Sequence, residues 1–434
     1  MCYNIDMIDI TILRRRLIEQ KEEAEIILRQ NLVKREKQQE FLKNLDAPLI
    51  KVIMGPRRSG KTVLSLLTQE DNYYYINFDD EILGGIKPED FNQLLELVIE
   101  LFGQKKFLIL DEIQNIDKWE LFVNRLHRAN YNITLTGSNS KLLSRELSST
   151  LTGRSLTLEL LPFSFGEYLD TKNIPHQAET TSQIGQMLKN LNDYIETGGF
   201  PEVLLRLKDP ELQKRYLKEL FEATINRDVV HRYRMRYTQE LIECANVILS
   251  NFARRTSFRK LSKEIGISEH TLKKYSGYLE EAYLIVSVKK FSFKPLDIEK
   301  SIRKYYAIDT GYIRVKGLSS SRDTGLLMEN LAAVELKRRG CEFYYYLLKE
   351  RNEIDFVVRE NREISEVIQV TYDEDGIRER EDSMGFETAR ELGAKKLTII
   401  TWYHENEETK EGIRIQYIPL WKWLLKKKDT DNKS

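Results

Sequence analysis

The chain has 434 residues, 41% of them hydrophobic and 31% charged, and its 68 basic and 68 acidic side chains cancel. This length is too great for one core and implies roughly two to four domains, while the balanced charge excludes a broadly basic nucleic-acid coat and allows only a local basic face. Cys2, Cys244 and Cys341 fit no disulfide or metal spacing, and no apolar run is of secretory or bilayer-spanning kind, so a cytoplasmic protein without membrane attachment is expected.

Residues from about 10 to 45 are charged and nearly free of Gly and Pro, with Ile18, Ile26, Leu28 and Leu32 as apolar positions. They predict one or two solvated surface helices, the alternative being a basic helix that touches nucleic acid. From Leu49 onward short apolar runs (LIKVIM, YYYINF, FLILD, ITLTG) alternate with helical stretches at Val63–Leu67, Phe91–Leu101 and Trp119–His127. Strands separated by helices predict a parallel sheet, and runs without alternation suit strands buried on both faces. Pro162 to about Arg236 reads as helical with a turn at Gly198–Pro201, and a compact segment from about Gln239 to Phe293 follows. A second α/β stretch has strands near Glu342–Leu347, Glu353–Val358, Val367–Thr371 and Leu397–Thr401, before a Lys- and Asp-rich tail expected to fray.

GPRRSGKT, Gly55 to Thr62, lies between an apolar strand and a helical run. This is the phosphate-loop pattern in the setting that gives it meaning. Gly55 and Gly60 let the backbone curl so that the N–H groups of Gly55, Pro56's successors Arg57, Arg58 and Ser59, and Gly60 to Val63 can cradle phosphate oxygens. Lys61 is placed to reach the terminal phosphates of ATP, and the Thr62 hydroxyl to ligate Mg2+. FLILDEIQ then carries Asp111 and Glu112 to the end of another strand, where open parallel sheets bind ligands. Asp111 is expected to hold Mg2+, and Glu112 to polarise the attacking water. A third strand ends in Ser138 and Asn139, which either touch that water or the γ-phosphate, or form a plain polar loop.

Together with TGSNSKLLSRELSSTLTGR, LPFSFGEYL, GGFPEV, INRDVVHRY, YAIDTG and EIDFVV, these motifs run from about Leu49 to Thr401. The chain so marked resembles the AAA+ ATPases of archaea and bacteria that carry a C-terminal nuclease-like domain. The resemblance implies an α/β fold: a P-loop AAA+ parallel sheet with a helical lid, a winged helix and a C-terminal α/β nuclease-like domain. The implied boundaries are 1–45 for the charged helical segment, 46–170 for the nucleotide-binding core, 171–236 for the lid, 237–300 for the winged helix, 301–425 for the nuclease-like domain and 426–434 for the tail. It also implies Ser138 or Asn139 as a first sensor, and Arg154 as an arginine finger toward a γ-phosphate in its own or a neighbouring subunit of a homo-oligomer. The plain alternative for Arg154 is a surface arginine. Arg206, Arg232 and Arg234 are the candidates for a second sensor.

FRKLSKEIGISEHTLKKYSGYLEEAYLI has helix–turn–helix form, with Gly266 in the turn and Ser268 capping the second helix. His270, Lys273 and Lys274 project from that helix, and LIVSVKKFSF is the expected wing with Lys289, Lys290 and Lys294. With Arg254, Arg255, Arg259 and Lys260 they make a basic surface that either contacts the DNA backbone or only packs domains together. Further on, Glu329, Asp355 and Gln369 resemble the metal positions of a PD-(D/E)XK nuclease, but Thr371 stands where that chemistry needs a lysine, and Lys349 or Lys395 would have to substitute in space. The expectation is a degenerate nuclease fold. The function expected overall is Mg2+-dependent ATP binding and hydrolysis in a DNA-associated ATPase or ATP-gated switch, with an ATP-dependent nuclease and a nucleotide-controlled signalling scaffold as alternatives.

Overall fold

Five apolar runs become strands: β1 (Ile50–Met54), β2 (Tyr73–Asn77), β3 (Phe107–Asp111), β4 (Asn132–Gly137) and β5 (Ser155–Glu159). They form one parallel sheet in the order β2-β3-β4-β1-β5. Ile50, Val52 and Ile53 on β1, Ile109 and Leu110 on β3, and Ile133 and Leu135 on β4 are fully buried. Each such side chain contributes about 1.5–3 kcal/mol by leaving water. Since β4 runs between β1 and β3, its polar C-terminal end lies between the phosphate loop and the Asp111–Glu112 pair. The computed structural model describes residues 9–30, 32–67, 72–138, 153–315, 323–349, 352–372 and 378–426. The chain divides into two units, Met1–Pro162 and Phe163–Ser434, and this sheet is the centre of the first.

The N-terminal helix, Ile10–Leu28, is not the solvated helix expected from its charge. It buries Leu13, Leu17, Gln20 and Ala24. The Gln20 side chain donates to Asn77 O (2.9 Å) and accepts from Asn77 N (3.0 Å), so it closes the open end of β2. Ile18 and Ile26, by contrast, point to solvent. The 3.6-residue period selects the Leu13–Leu17–Ala24 stripe, and the two isoleucines fall off it.

In the second unit the helices Phe165–Thr171, Thr181–Thr197, Pro201–Arg206 and Pro210–Thr224 come first. Ser164 caps the first of them: its Oγ accepts from Glu167 N (3.1 Å), and Glu167 Oε2 accepts from Ser164 N (3.0 Å), a reciprocal capping box written into LPFSFGEYL. Helices Phe258–Ile265 and Glu269–Glu281 follow, joined through Gly266 at φ +74° and capped by Ser268. They accompany a small antiparallel sheet of β6 (Arg255–Thr256), β7 (Ile285–Val288) and β8 (Arg303–Ala307), in the order β6-β8-β7. The expected wing is not a free loop: Phe291 N donates to Tyr345 O (2.8 Å) and Tyr345 N to Lys289 O (3.1 Å), which ties it to the next sheet.

That sheet has six strands: β9 (Glu342–Leu348), β10 (Asn352–Glu360), β11 (Glu363–Val370), β12 (Lys396–Thr401), β13 (Asn406–Lys410) and β14 (Ile413–Pro419), in the order β13-β14-β12-β11-β10-β9. Ile354–Val358, Val367–Val370 and Leu397–Thr401 are buried without alternation, so both faces are covered. The helix Arg378–Leu392 covers one of them through Ala389 and Leu392, against Val357, Val367 and Leu397. Among the described residues no helix is long and apolar enough to cross a membrane.

Two motifs distant in sequence meet in this unit. Asp309 of YAIDTG is buried, and its carboxylate accepts from Gly199 N (2.7 Å) and Gly311 N (2.9 Å). Gly198 has φ +74°, and a Cβ there would stand 1.8 Å from Asp309 Oδ1; a Cβ on Gly199 would stand 2.3 Å from Phe163 O. The Gly-Gly pair is therefore required for close approach, and Phe200 after it packs on Tyr312 with ring centres 5.2 Å apart. Burial pushes the Asp309 carboxyl up to about 6, against the two N–H donors that hold it down. A carboxyl raised in the folded state binds its proton more tightly there than in the unfolded chain. Its stabilising contribution is full below the ordinary carboxylate pKa and is lost as pH rises through about 6. Asp309→Asn removes this titration, so the stability advantage of the wild type over the variant should shrink by about 1 kcal/mol between roughly pH 5 and pH 7.5. Denaturant titrations at the two pH values measure it, and a pH-independent difference contradicts the prediction.

Candidate nucleotide-binding site

The phosphate loop leaves β1 through Gly55, where a Cβ would lie 2.0 Å from Leu160 O. No side chain fits there, because the loop rests on the backbone that continues from β5. Arg58 (φ +65°) and Gly60 (φ +92°) take left-handed conformations that curl the loop before the helix Lys61–Leu66 begins. Ser59 is fully buried, Pro56 is buried, Arg58 is exposed, Val63 is half-buried, and Arg57 pairs with Asp79 at 3.2 Å. A residue outside the motif supports the turn. Arg35, 5% exposed, donates from Nη1 to Ser59 O (2.6 Å) and from Nη2 to Leu161 O (2.7 Å).

Lys61 Nζ is buried inside the loop and donates to Gly55 O (3.1 Å) and Pro56 O (2.9 Å), with Glu112 Oε1 at 3.8 Å. Asp111 is buried at the end of β3 and accepts from three neutral hydroxyls: Thr62 Oγ1 (2.7 Å) and Tyr75 OH (3.0 Å) on Oδ2, and Thr136 Oγ1 on Oδ1. Burial raises its pKa and the adjacent Glu112 charge adds to this, while the three hydroxyls oppose it. The same proximity burdens Tyr75, whose hydroxyl is pushed far above its ordinary value by burial and by Asp111. Glu112 sits at φ +51°, and its backbone N–H donates to Thr136 Oγ1 (3.2 Å). The Gln114 amide and the Ser138 hydroxyl (3.4 Å) both donate to Glu112 Oε2.

This donor set suits a nucleotide and Mg2+. A buried ammonium donates to loop carbonyl oxygens, a hydroxyl and a carboxylate lie side by side, and burial and Glu112 raise the proton affinity of that carboxylate, which a divalent cation would offset. The structure brings Lys61, Thr62, Asp111, Glu112 and Ser138 together. Asn139 lies outside the described residues. Arg154 is not part of this cluster: it stands just before β5, where its O accepts from Ile50 N (2.8 Å) and its Nη1 lies 3.5 Å from Asn124 Oδ1. That is the N-terminal edge of the sheet, a strand length of roughly 17 Å from the edge that carries the loop. From that edge Arg154 does not reach the phosphate loop of its own chain. Thr136, Tyr75, Gln114 and Arg35 were missed by sequence reasoning. Thr136 and Ser138 share one strand end, which is a usable signal, whereas nothing local distinguishes Arg35 from its charged neighbours.

In the second unit Glu329, Asp355 and Gln369 do gather: Asp355 N donates to Gln369 Oε1 (3.4 Å) and Val370 N to Asp355 Oδ2 (2.8 Å). The cation beside them is neither Lys349, which pairs with Glu387 at 2.5 Å, nor the exposed Lys395, but Lys304 of β8. Among the described residues no group of three His, Cys, Asp or Glu side chains is arranged to hold a metal ion. Of the basic residues around the helix pair, Lys273 pairs with Glu269 (2.7 Å), Lys289 with Glu299 (2.7 Å), Arg255 with Glu353 (3.0 Å), Lys260 with Glu264 (3.8 Å) and Arg254 with Asp323 (4.0 Å). Arg206 pairs with Glu202 at 3.0 Å.

Residues 47–169 match the AAA domain family, and residues 188–322 match a domain of unknown function. The chain is 29% identical to an uncharacterized protein of Haemophilus influenzae over 88% of its own length and 96% of that protein's. Among solved structures, a Signal Transduction ATPase with Numerous Domains (STAND) protein with a tetratricopeptide repeat sensor from Pyrococcus horikoshii overlaps 70% of this chain and 45% of its own. The identity there is 16% and the TM-score 0.28, too low to carry a functional reading. The uncharacterized protein MJ1544 of Methanocaldococcus jannaschii is 35% identical over 97% of this chain and 99% of its own length. The chain therefore belongs to the same family as MJ1544, and it carries an AAA-type nucleotide-binding ATPase domain at residues 47–169.

Proposed function

We propose that the chain is a Mg2+-dependent ATPase whose turnover is coupled to DNA through the helix pair of its second unit. The observation that carries the first half is the Thr62–Asp111 contact at 2.7 Å with Glu112 beside it, 3.8 Å from Lys61. Gly55 to Val63 would cradle the phosphates of ATP, with Thr62 and Asp111 holding Mg2+. The bound ion supplies Lewis-acid polarisation of the terminal phosphate. Lys61 exchanges its two carbonyl acceptors for phosphate oxygens and neutralises charge that grows during phosphoryl transfer. Glu112, oriented by Gln114 and Ser138, positions the attacking water and accepts its proton.

DNA contact rests on the exposed His270, Lys273 and Lys274, on a helix capped by Ser268 and separated from its partner by the Gly266 turn. The paired carboxylates around it mean that DNA phosphates must compete for several of these cations. A homo-oligomer fits the edge position of Arg154, which can serve only a neighbour's nucleotide.

Lys61→Ala should lose ATP affinity by at least tenfold, and Glu112→Gln should bind ATP normally while turnover falls on the order of 10²-fold or more. Fluorescent-nucleotide titration and phosphate release read the two effects. Normal binding by a folded Lys61→Ala protein, or normal turnover by Glu112→Gln, rejects the assignment. Mixing Arg154→Ala protein with Lys61→Ala protein should restore part of the turnover, since each supplies what the other lacks; no recovery in a mixed oligomer removes the finger. Double-stranded DNA should stimulate phosphate release by the wild type. Lys273→Ala with Lys274→Ala should weaken DNA binding and flatten its salt dependence by about one unit of slope for each phosphate no longer neutralised. An unchanged salt slope moves the DNA surface elsewhere.

A further inference from the structure

The carboxylates that the nuclease resemblance assigns to a metal already share a cation. Lys304 enters from β8 with no exposed surface, and its Nζ lies 2.5 Å from Glu329 Oε1, 2.7 Å from Glu353 Oε1 and 3.9 Å from Asp355 Oδ1. Tyr306 OH donates to the same Glu329 oxygen at 2.6 Å, and Arg255 Nε lies 3.0 Å from Glu353 Oε2. Asp355 is further held by Val370 N–H, and its own N–H meets Gln369 Oε1, so the residues expected to surround an ion instead close on one another.

We infer that Lys304 is the resident cation of this cluster: its ammonium stands in the place of a divalent metal, and the Glu329–Glu353–Asp355 group is a latent divalent-cation site kept shut by the chain itself. Three arguments support this. A hard divalent ion of the Mg2+ type demands several oxygen ligands and usually retains water, whereas Glu329, Glu353 and Asp355 converge on a buried ammonium, with only the Glu353 side partly open to solvent. Expelling that ammonium would leave a buried charge unpaired, which opposes exchange for a metal. Lys304 also cannot serve as the lysine missing at position 371 while two carboxylates hold it within hydrogen-bonding distance and its own ammonium is buried away from any phosphodiester. The cluster thus fastens β6 and β8 to β10 and to the helix Thr324–Arg338, and it performs no metal-assisted hydrolysis. The inference is independent of the ATPase reading.

The test is Mn2+ titration of the full chain without nucleotide, followed by calorimetry and by the electron spin resonance signal of free Mn2+. Wild type and Asp355→Asn should bind the same number of Mn2+ equivalents, and neither should cut supercoiled DNA. Lys304→Met should gain one equivalent, lost again in Lys304→Met with Asp355→Asn, and Mn2+ should raise its melting temperature but not that of the wild type. Lys304→Gln, which keeps a hydrogen-bond donor toward the carboxylates, gives the same readout if the methionine variant does not fold. Loss of an equivalent from wild type on Asp355→Asn overturns the inference. So does a folded Lys304 variant with no added Mn2+, or DNA cleavage that requires both Asp355 and Lys304.

Discussion

The nucleotide site depends on a buried carboxylate that, among the described residues, is met by neutral hydroxyls. Asp111 accepts hydrogen bonds from Thr62 on the loop helix, Tyr75 on β2 and Thr136 on β4, and so joins all three to the end of β3. Neutral hydroxyls orient the carboxylate but do not compensate its charge, and burial together with Glu112 drives its proton affinity up. A divalent cation at this place would offset that unfavourable charge. The order of the sheet is what makes this possible: with β4 between β1 and β3, one threonine can bridge to the acidic strand while the phosphate loop stays on the other side.

The second unit solves the same problem in the opposite way. Its carboxylates are compensated from within, by Lys304 and Arg255, and the gain is a fixed connection between two sheets instead of a place for an ion. Breaking its buried Lys304–Glu329 pair by removing one partner typically costs about 3–5 kcal/mol, while the more exposed Arg255–Glu353 contact adds little. Two clusters of acidic residues in one chain thus differ in charge balance, a difference that motif matching does not register.

The features legible in the sequence are those whose chemistry is local. Eight consecutive residues define the phosphate loop, two define the acidic pair, and Gly266 with Ser268 marks the helix–turn–helix bend. Tyr75 and Arg35 were illegible because their partners arrive from other strands and segments, and only sheet order brings them together, whereas Thr136 shares its strand end with Ser138. Lys304 was missed for another reason: a lysine flanked by arginine and tyrosines in a short strand gives no sign of being fully buried, since unpaired lysines almost never are. The GGFPEV and YAIDTG motifs were visible as distinctive, but their mutual dependence through Asp309 was not. Strand β13 escaped notice because all five of its residues are polar and exposed. A two-residue turn at Glu411 (φ +49°) and Gly412 (φ +80°) folds it back onto β14.

That polar strand bears on how the protein behaves when crowded. A six-stranded sheet has two outer strands, and an outer strand with unpaired backbone groups invites another chain to add to it. Here one outer strand, β13, carries Glu407, Glu408 and Lys410 in the open, so an approaching backbone meets charge. The other, β9, is already engaged by the segment at Lys289–Phe291 through Tyr345. One border of this valine- and isoleucine-rich sheet is thus guarded by charge and the other is engaged at its middle, at Tyr345, which disfavours the addition of a foreign strand at either side.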